Sequence, residues 1–404
     1  MKWLVALWFC LSLLCFATVQ LGTADPAPPA ITADSAILVD AATGKVLYEK
    51  RCRVRRPPAS TSKMMTAILA IEHGDLKDTV RVSKRASNTP FSSLNLKPGE
   101  KLSLEDLLYG LLLRSANDAA VCIAEHIGGS EKKFVAMMNE KAKEIGAMDT
   151  YFANPHGLND PKHYSTAYDL ALIARYAIRM PVFNEIVATK TKRIERSINS
   201  KDIYIKNAAR FLWKFDGADG IKTGYTRQAG HCFVGSATRD GWRLIVVVLK
   251  SKDAGEDAAA LLSFGFKFYK QVSFARANEV VTTVPVANGV LDRVNVVARE
   301  DLAVVLRKSA EAKTGTSMNV REAVAPIDEG EELGTLTGYL NGEKVGSVDL
   351  LSAETVGRVL AAAFRAWVRS TFTISILFLV GYVTYGTAVA KTARRRRRSF
   401  AARG

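Results

Sequence analysis

The chain has 404 residues and a mass of 44.0 kDa, a length that accommodates two or three domains. Hydrophobic residues make up 48% and charged residues 24%, which excludes a chain disordered throughout. The formal net charge is +16, so a nucleic-acid or anionic-membrane partner stays open until that charge is located.

At the start, Lys2 precedes an apolar run from Trp3 to about Ala17, followed by the small residues Gly22 and Ala24. Residues 1–24 read as a secretory signal peptide cleaved after Ala24, with an uncleaved anchor as the alternative. Residues 35–40 and 46–49 read as a β-hairpin. Helical patterns follow over 60–73, 104–126 and 131–145, with Gly74, Gly128 and Gly146 as stop signals. A second, apolar hairpin is predicted at 233–237 and 243–248, turning at Arg239-Asp240-Gly241. A helical pattern returns over 257–269. Strands early and late with helices between them predict an α/β domain over 25–273, its sheet covered by helices. Short β-type runs then define a small all-β domain over 274–353.

The C-terminal part has a different texture. Val356, Val359, Leu360, Ala363, Phe364 and Trp367 recur at helical spacing opposite Arg358, Arg365 and Arg369. Residues 354–370 thus read as an amphipathic helix, either lying on a membrane surface or packed on the preceding domain. Residues 371–390 are uncharged, and a helix of that length spans about 30 Å, the thickness of a bilayer core. Lys391 and Arg394 to Arg398 follow, so 391–404 reads as a basic cytoplasmic tail and everything upstream as extracytoplasmic. A free basic arm on nucleic acid is the competing reading of those arginines. Lys2 supplies one of the sixteen net charges and residues 371–404 seven, leaving eight on residues 25–370. Half of the basicity is thus a topology signal, and nucleic acid is not expected as a partner.

Cys52, Cys122 and Cys232 remain after the leader. They show no metal spacing, and one disulfide plus a free thiol is an open pairing.

Three short motifs can carry chemistry. Ser60-Thr61-Ser62-Lys63 follows Pro57-Pro58, which preset a helix start, and places Lys63 one turn beyond Ser60 on the same face. A serine needs a base to become a nucleophile, and a buried lysine can be neutral enough to serve. The bland reading is an N-cap and a solvated lysine. Ser130-Glu131-Lys132-Lys133 repeats the pattern and reads as a plain N-cap. Ser115-Ala116-Asn117 interrupts the apolar run Leu111-Leu112-Leu113, as a cleft-lining segment or a mere helix break. Lys222-Thr223-Gly224 heads a strand, where it can hold a carboxylate or simply form a polar turn; Lys313-Thr314-Gly315 is a second copy, read as a loop.

Each motif alone is weak, but the ordered set is specific. With Asn154-Pro155-His156-Gly157-Leu158 and Asp219-Gly220-Ile221 before Lys222, the chain closely resembles the low-molecular-mass penicillin-binding proteins, the D-alanyl-D-alanine carboxypeptidases, over about 31–353. The resemblance implies an α/β (α+β) penicillin-recognising serine transferase/β-lactamase-like catalytic domain, followed by a small all-β domain and a membrane helix. It implies Ser60 as the acylated nucleophile, Lys63 as its base and Ser115 as a third catalytic residue. Asn117, Lys222, Thr223, Gly224, Tyr225 and Arg210 would bind substrate, and the N–H groups of Ser60 and Tyr225 would form the oxyanion hole. His156-Gly157-Leu158 would shape the floor of the site.

The expected substrate is the peptidoglycan stem pentapeptide, with β-lactams as covalent mimics and no cofactor or metal. Two departures stand out. Arg210 is the nearest upstream arginine to Lys222, and residues 250–256 do not match members that carry a second arginine there. Competing readings are a D,D-endopeptidase with the same residues, a β-lactamase, against which this chain has no E-x-x-L-N element between Ser115 and Lys222, and a silent wall-binding protein.

Overall fold

The computed structural model describes residues 27–199 and 202–401; the signal-peptide expectation for 1–24 lies outside the described residues. Contacts divide the chain into two compact units, the first ending at Lys270 with Arg307–Ser309 added, the second beginning at Gln271.

The first unit is built on a five-stranded antiparallel sheet of β1 (Ser35–Asp40), β2 (Val46–Lys50), β3 (Ala218–Thr226), β4 (Gly230–Arg239) and β5 (Trp242–Ser251), in the order β2-β1-β5-β4-β3. Asp240 and Gly241 join β4 to β5 with φ of +51° and +76°, the left-handed pair that a two-residue hairpin turn requires. β5 occupies the middle of the sheet and reads as an unbroken apolar run because both its faces are buried. Ile245, Val247 and Leu249 join the main helical core. On the opposite face, Leu244 and Leu38 crowd Gly265 so closely that a Cβ there would meet them at 2.6 and 2.9 Å.

The helices of eight residues or more in this unit are α1 (Lys63–His73), α2 (Leu104–Leu113), α3 (Asn117–Gly128), α4 (Glu131–Ile145), α5 (Ala167–Ala177), α6 (Pro181–Ala188) and α7 (Ala254–Phe268). Their starts follow capping chemistry. Ser103, Ser130, Thr166 and Asp253 each accept a backbone N–H of the first turn. Ser130 is therefore an N-cap, as its sequence context indicated. The single helix expected over 104–126 is two, broken at Arg114-Ser115-Ala116, with Ser115 at a φ of +61°. Asp118 explains how the break is held: its carboxylate accepts from Ser93 Oγ and from the N–H groups of Leu94 and Leu96, fastening the neighbouring loop beside it.

The second unit is a six-stranded sheet in the order Thr314–Val320, Glu332–Leu340, Glu343–Ser352, Arg293–Ala298, Val280–Ala287 and Ala323–Val324. Alternation buries Val294, Val296 and Ala298 with Leu336, Val348 and Leu350. The second Lys-Thr-Gly copy, expected as a loop, opens an exposed edge strand instead.

The amphipathic helix expected over 354–370 does not begin there. Val356 is fully buried and bridges Ile327 in extended conformation, and Arg358 bridges Gly289. One continuous helix then runs from Leu360 to Ala401. Its Trp367–Arg394 stretch is long and apolar enough to cross a bilayer, with a mean hydropathy of 1.7.

A buried ion pair ties two loops of the first unit together. Arg196 and Glu100, both with fully inaccessible side chains, form a bidentate contact at 2.8 and 3.0 Å, and Arg196 also donates to the Leu94 and Asp202 carbonyls. Removing one partner leaves the other charge buried and alone. Arg196→Ala is expected to lower the unfolding free energy by about 3–5 kcal/mol, measured by denaturant unfolding.

Candidate active site

Pro57 and Pro58 lead into one 3-10 turn, Ala59–Ser62, and α1 begins at Lys63. Such a turn has three residues per revolution, so residues i and i+3 eclipse. Lys63 therefore stands over Ser60, its Nζ 2.9 Å from Ser60 Oγ. The amine also lies 2.7 Å from Asn117 Oδ1 and 2.6 Å from the His156 carbonyl oxygen. Both of these groups only accept hydrogen bonds, so they take N–H donors. On a neutral amine the lone pair then faces the Ser60 hydroxyl. Burial first, then the charge of Lys222, hold the Lys63 pKa well below the ordinary lysine range, against an opposing pull from Asp118. Lys63 opens α1 and its amine meets the first residue of α3, so two positive helix ends disfavour an ammonium there as well.

The turn that presents Ser60 is held from behind. Ala59 adopts a φ of +49°. The Ala153 N–H donates to His163 Nδ1 at 3.2 Å, which leaves Nε2–H to donate to Ser62 Oγ at 2.7 Å. Ser62 Oγ in turn donates to the Ala59 carbonyl at 3.0 Å. Burial pushes His163 down to about 4 and, with Lys63 adding to the effect, His156 down to about 3, so both rings are neutral near pH 7.

Two glycines let the backbone close around the turn. A Cβ on Gly157, at φ +86°, would lie 1.9 Å from the Ala59 oxygen. One on Gly224 would lie 3.0 Å from the Ser60 nitrogen, so glycine keeps the space before that N–H open.

A cavity of about 830 Å³ lies over the turn, its lining including Ser60, Ser115, Arg210, Thr223, Gly224 and Tyr225. Lys63, Asn117 and Lys222 are at most 2% exposed and stand behind it. Lys222 Nζ donates to the Thr223 carbonyl at 2.9 Å, and burial pushes its pKa down to about 7.

Asn117 is held by its own side-chain contacts. Its Nδ2 donates to the Pro90 and Phe91 carbonyls, both at 2.8 Å, and its Oδ1 takes Lys63. Through these contacts Asn117 orients Lys63. Arg210 is exposed on the cavity wall. Its segment is set by Asn207, which accepts the Ala209 N–H at 2.9 Å, and by the Ala208 N–H bonded to Leu113 at the end of α2.

The sequence reading missed the His163–Ser62 support, the carbonyl role of His156, and Lys252 and Arg114 on the cavity wall. Arg114 is paired with Asp202 at 2.9 Å. The three cysteines are free and buried, so the open disulfide pairing is not formed. Burial raises all three thiols, that of Cys232 to about 11.

Comparison with known proteins agrees with this geometry. Residues 22–253 match the family model described as D-alanyl-D-alanine carboxypeptidase. The chain belongs to the D-alanyl-D-alanine carboxypeptidase family. Residues 269–358 match the C-terminal domain of penicillin-binding protein 5.

The carboxypeptidase DacF of Bacillus subtilis is 33% identical over 84% of this chain and 89% of its own length. DacA of Escherichia coli is 33% identical over 82% and 87%. Among solved structures, penicillin binding protein 5 from Haemophilus influenzae is similar with a TM-score of 0.62 at 31% identity, covering 83% of this chain and all of that one. The protein is thus a serine-type D-Ala-D-Ala carboxypeptidase, a hydrolase of the penicillin-binding class.

Two outcomes follow from the geometry. Gly157→Ala must displace the Ala59 carbonyl, and is expected to slow β-lactam acylation on the order of 10²-fold, read by stopped-flow labelling. Lys222 titrates in the fold at about 7, against an ordinary 10.5. Between those values the unfolded chain binds a proton that the folded chain lacks, so stability rises with pH across that window. Below pH 7 the penalty of the buried charge is fully present. Lys222→Met should therefore raise Tm at pH 6 and raise it less at pH 10, measured by thermal scans at both.

Proposed function

We propose that Ser60 attacks the carbonyl of the penultimate D-alanine of a peptidoglycan stem pentapeptide, with neutral Lys63 taking the hydroxyl proton. The single observation that carries this reading is the placement of Lys63 Nζ, 2.9 Å from Ser60 Oγ with acceptor oxygens on its other two contacts. The N–H groups of Ser60 and Tyr225 stabilise the developing oxyanion. Thr223, with Arg210 on the wall, holds the terminal carboxylate, Lys222 behind it keeps the site electropositive, and Gly224 lets the substrate backbone approach. Ser115 faces the cavity and passes the proton to the leaving amine, freeing D-alanine. Water then hydrolyses the Ser60 ester by the reverse proton path. A β-lactam stalls at the acyl stage because its leaving group stays attached.

The C-terminal helix anchors the protein in the membrane, with the basic tail in the cytoplasm and the catalytic unit on the extracytoplasmic side. The support is the apolar Trp367–Arg394 stretch and the arginines that end it.

Labelling with a reporter penicillin tests the assignment. Ser60→Ala should lose all label and all D-alanine release from a pentapeptide, while Ser130→Ala stays within twofold of wild type. Label retained by Ser60→Ala would show that another nucleophile acts.

A further inference from the structure

His163 is buried and takes no part in the cavity lining, yet its ring joins two backbone segments that meet at the nucleophile. Nδ1 accepts the Ala153 N–H at 3.2 Å, at the head of the segment that carries the His156 carbonyl. That segment is locked locally. Asn154 Oδ1 accepts the N–H groups of His156 and Gly157, and the Pro155 carbonyl accepts Thr66 Oγ1. Nε2 donates to Ser62 Oγ at 2.7 Å, and Ser62 passes its own hydrogen to the Ala59 carbonyl at 3.0 Å.

The Ala59 carbonyl and the Ser60 N–H belong to one peptide unit. The unit is trans and planar, so the two groups point in opposite directions. Two glycines mark those directions. A Cβ on Gly157 would strike the Ala59 oxygen, and one on Gly224 would come within 3.0 Å of the Ser60 nitrogen. Any rotation that takes the oxygen off Ser62 also turns the N–H away from the space before Gly224. Ala59 holds a φ of +49°, a conformation that alanine resists, so the setting depends on contacts from outside the turn.

We propose that His163 is a positioning residue of the reaction: through Ser62 it aims and polarises the Ser60 N–H that receives the oxyanion. This rests on the reading of Ser60 as the nucleophile with its N–H in the oxyanion hole. The ring acts through a donor on one nitrogen and an acceptor on the other, a pairing that only neutral imidazole offers and that burial maintains. It never touches substrate. Negative charge grows on the oxyanion as the transition state forms, so the contribution falls on the acylation step and not on binding.

The two nitrogens can be separated by substitution. Glutamine carries its amide nitrogen as many bonds from the backbone as Nε2, so it can keep the Ser62 bond. The asparagine oxygen corresponds in the same way to Nδ1, so asparagine keeps the Ala153 bond and loses Ser62.

The test uses the full chain in detergent micelles, with stopped-flow acylation by a reporter penicillin and D-alanine release from a pentapeptide. His163→Asn is expected to lower the limiting acylation rate at least tenfold, short of the ~10²–10³-fold lost with a whole oxyanion donor. The penicillin concentration that half-saturates the rate should stay within twofold, and D-alanine release should fall in step. His163→Gln should restore both rates to within about threefold of wild type. Ser62→Ala should match His163→Asn, and the double variant should lose no more than either alone, since both break one chain. Equal losses in the Asn and Gln variants overturn the proposal. So do a wild-type rate in His163→Asn, a loss carried by weaker binding, and losses that multiply in the double variant. If His163→Asn does not fold, Ser62→Ala decides, and acylation at the wild-type rate there overturns the proposal. Failure of the underlying reading has its own signature, label that survives Ser60→Ala.

Discussion

Everything at this site depends on keeping a lysine neutral inside a protein. An amine in water near pH 7 is protonated and has no lone pair to offer a serine. Desolvation is the strongest influence that removes the proton from Lys63, and Lys222 nearby reinforces it. The same condition explains the company Lys63 keeps. An adjacent carboxylate would restore the ammonium. The structure supplies instead an amide oxygen and a peptide carbonyl, which fix the orientation of the amine without a full negative charge. Asp118, the acid that does act on Lys63, spends its oxygens on Ser93, Leu94 and Leu96. Two buried lysines are a standing cost to stability, and the helical core and five-stranded sheet around them are what make that cost tolerable.

Orientation is the second requirement, and it is met by backbone that ordinary helices and strands do not use. Ala59 and Ser115 both lie in left-handed conformation, one beside the nucleophile and one facing the cavity. Such conformations cost of order 1–3 kcal/mol each and persist only where their surroundings over-determine them. The surroundings here are specific. The His163–Ser62 chain grips the Ala59 carbonyl from one side, and Gly157 permits close packing from the other. Ser115 sits between two helices whose ends are pinned independently, α2 by the Ala208 N–H and α3 by the Asn117 and Asp118 side chains.

What the sequence revealed follows from the range of the forces involved. Lys63 over Ser60 depends on a spacing of three along the chain, so it was legible, as was the Asp240-Gly241 turn. The central strand β5 was legible because full burial leaves an apolar run. Long-range placements were not. Nothing local indicates that the His156 carbonyl, ninety-three residues from Lys63, completes the amine's surroundings. Nothing local shows that Asn117 donates its amide hydrogens to the Pro90 and Phe91 carbonyls. The start of the C-terminal helix was misplaced for a related cause. Val356 has the right period for the helical stripe, but its burial against the second unit's sheet, next to Ile327, decides its conformation.

One nucleophile with one base does not by itself determine which bond is cut. Attack on a D-alanyl carbonyl is the same event whether the departing amine belongs to free alanine or to a second peptide, since the charge to be stabilised develops at the same oxygen. Discrimination must therefore come from the far side of Thr223, where the departing residue is bound before the reaction and released after it. A wall that ended just past a methyl group would restrict the enzyme to chain ends. In that wall Phe211 and Phe233 are buried, with Phe211 stacked on Phe215, so the rings back the lining more than they present a surface. Binding energy gained or lost at that wall changes which departing residue is accepted without altering the catalytic residues, so selectivity can change through the wall alone.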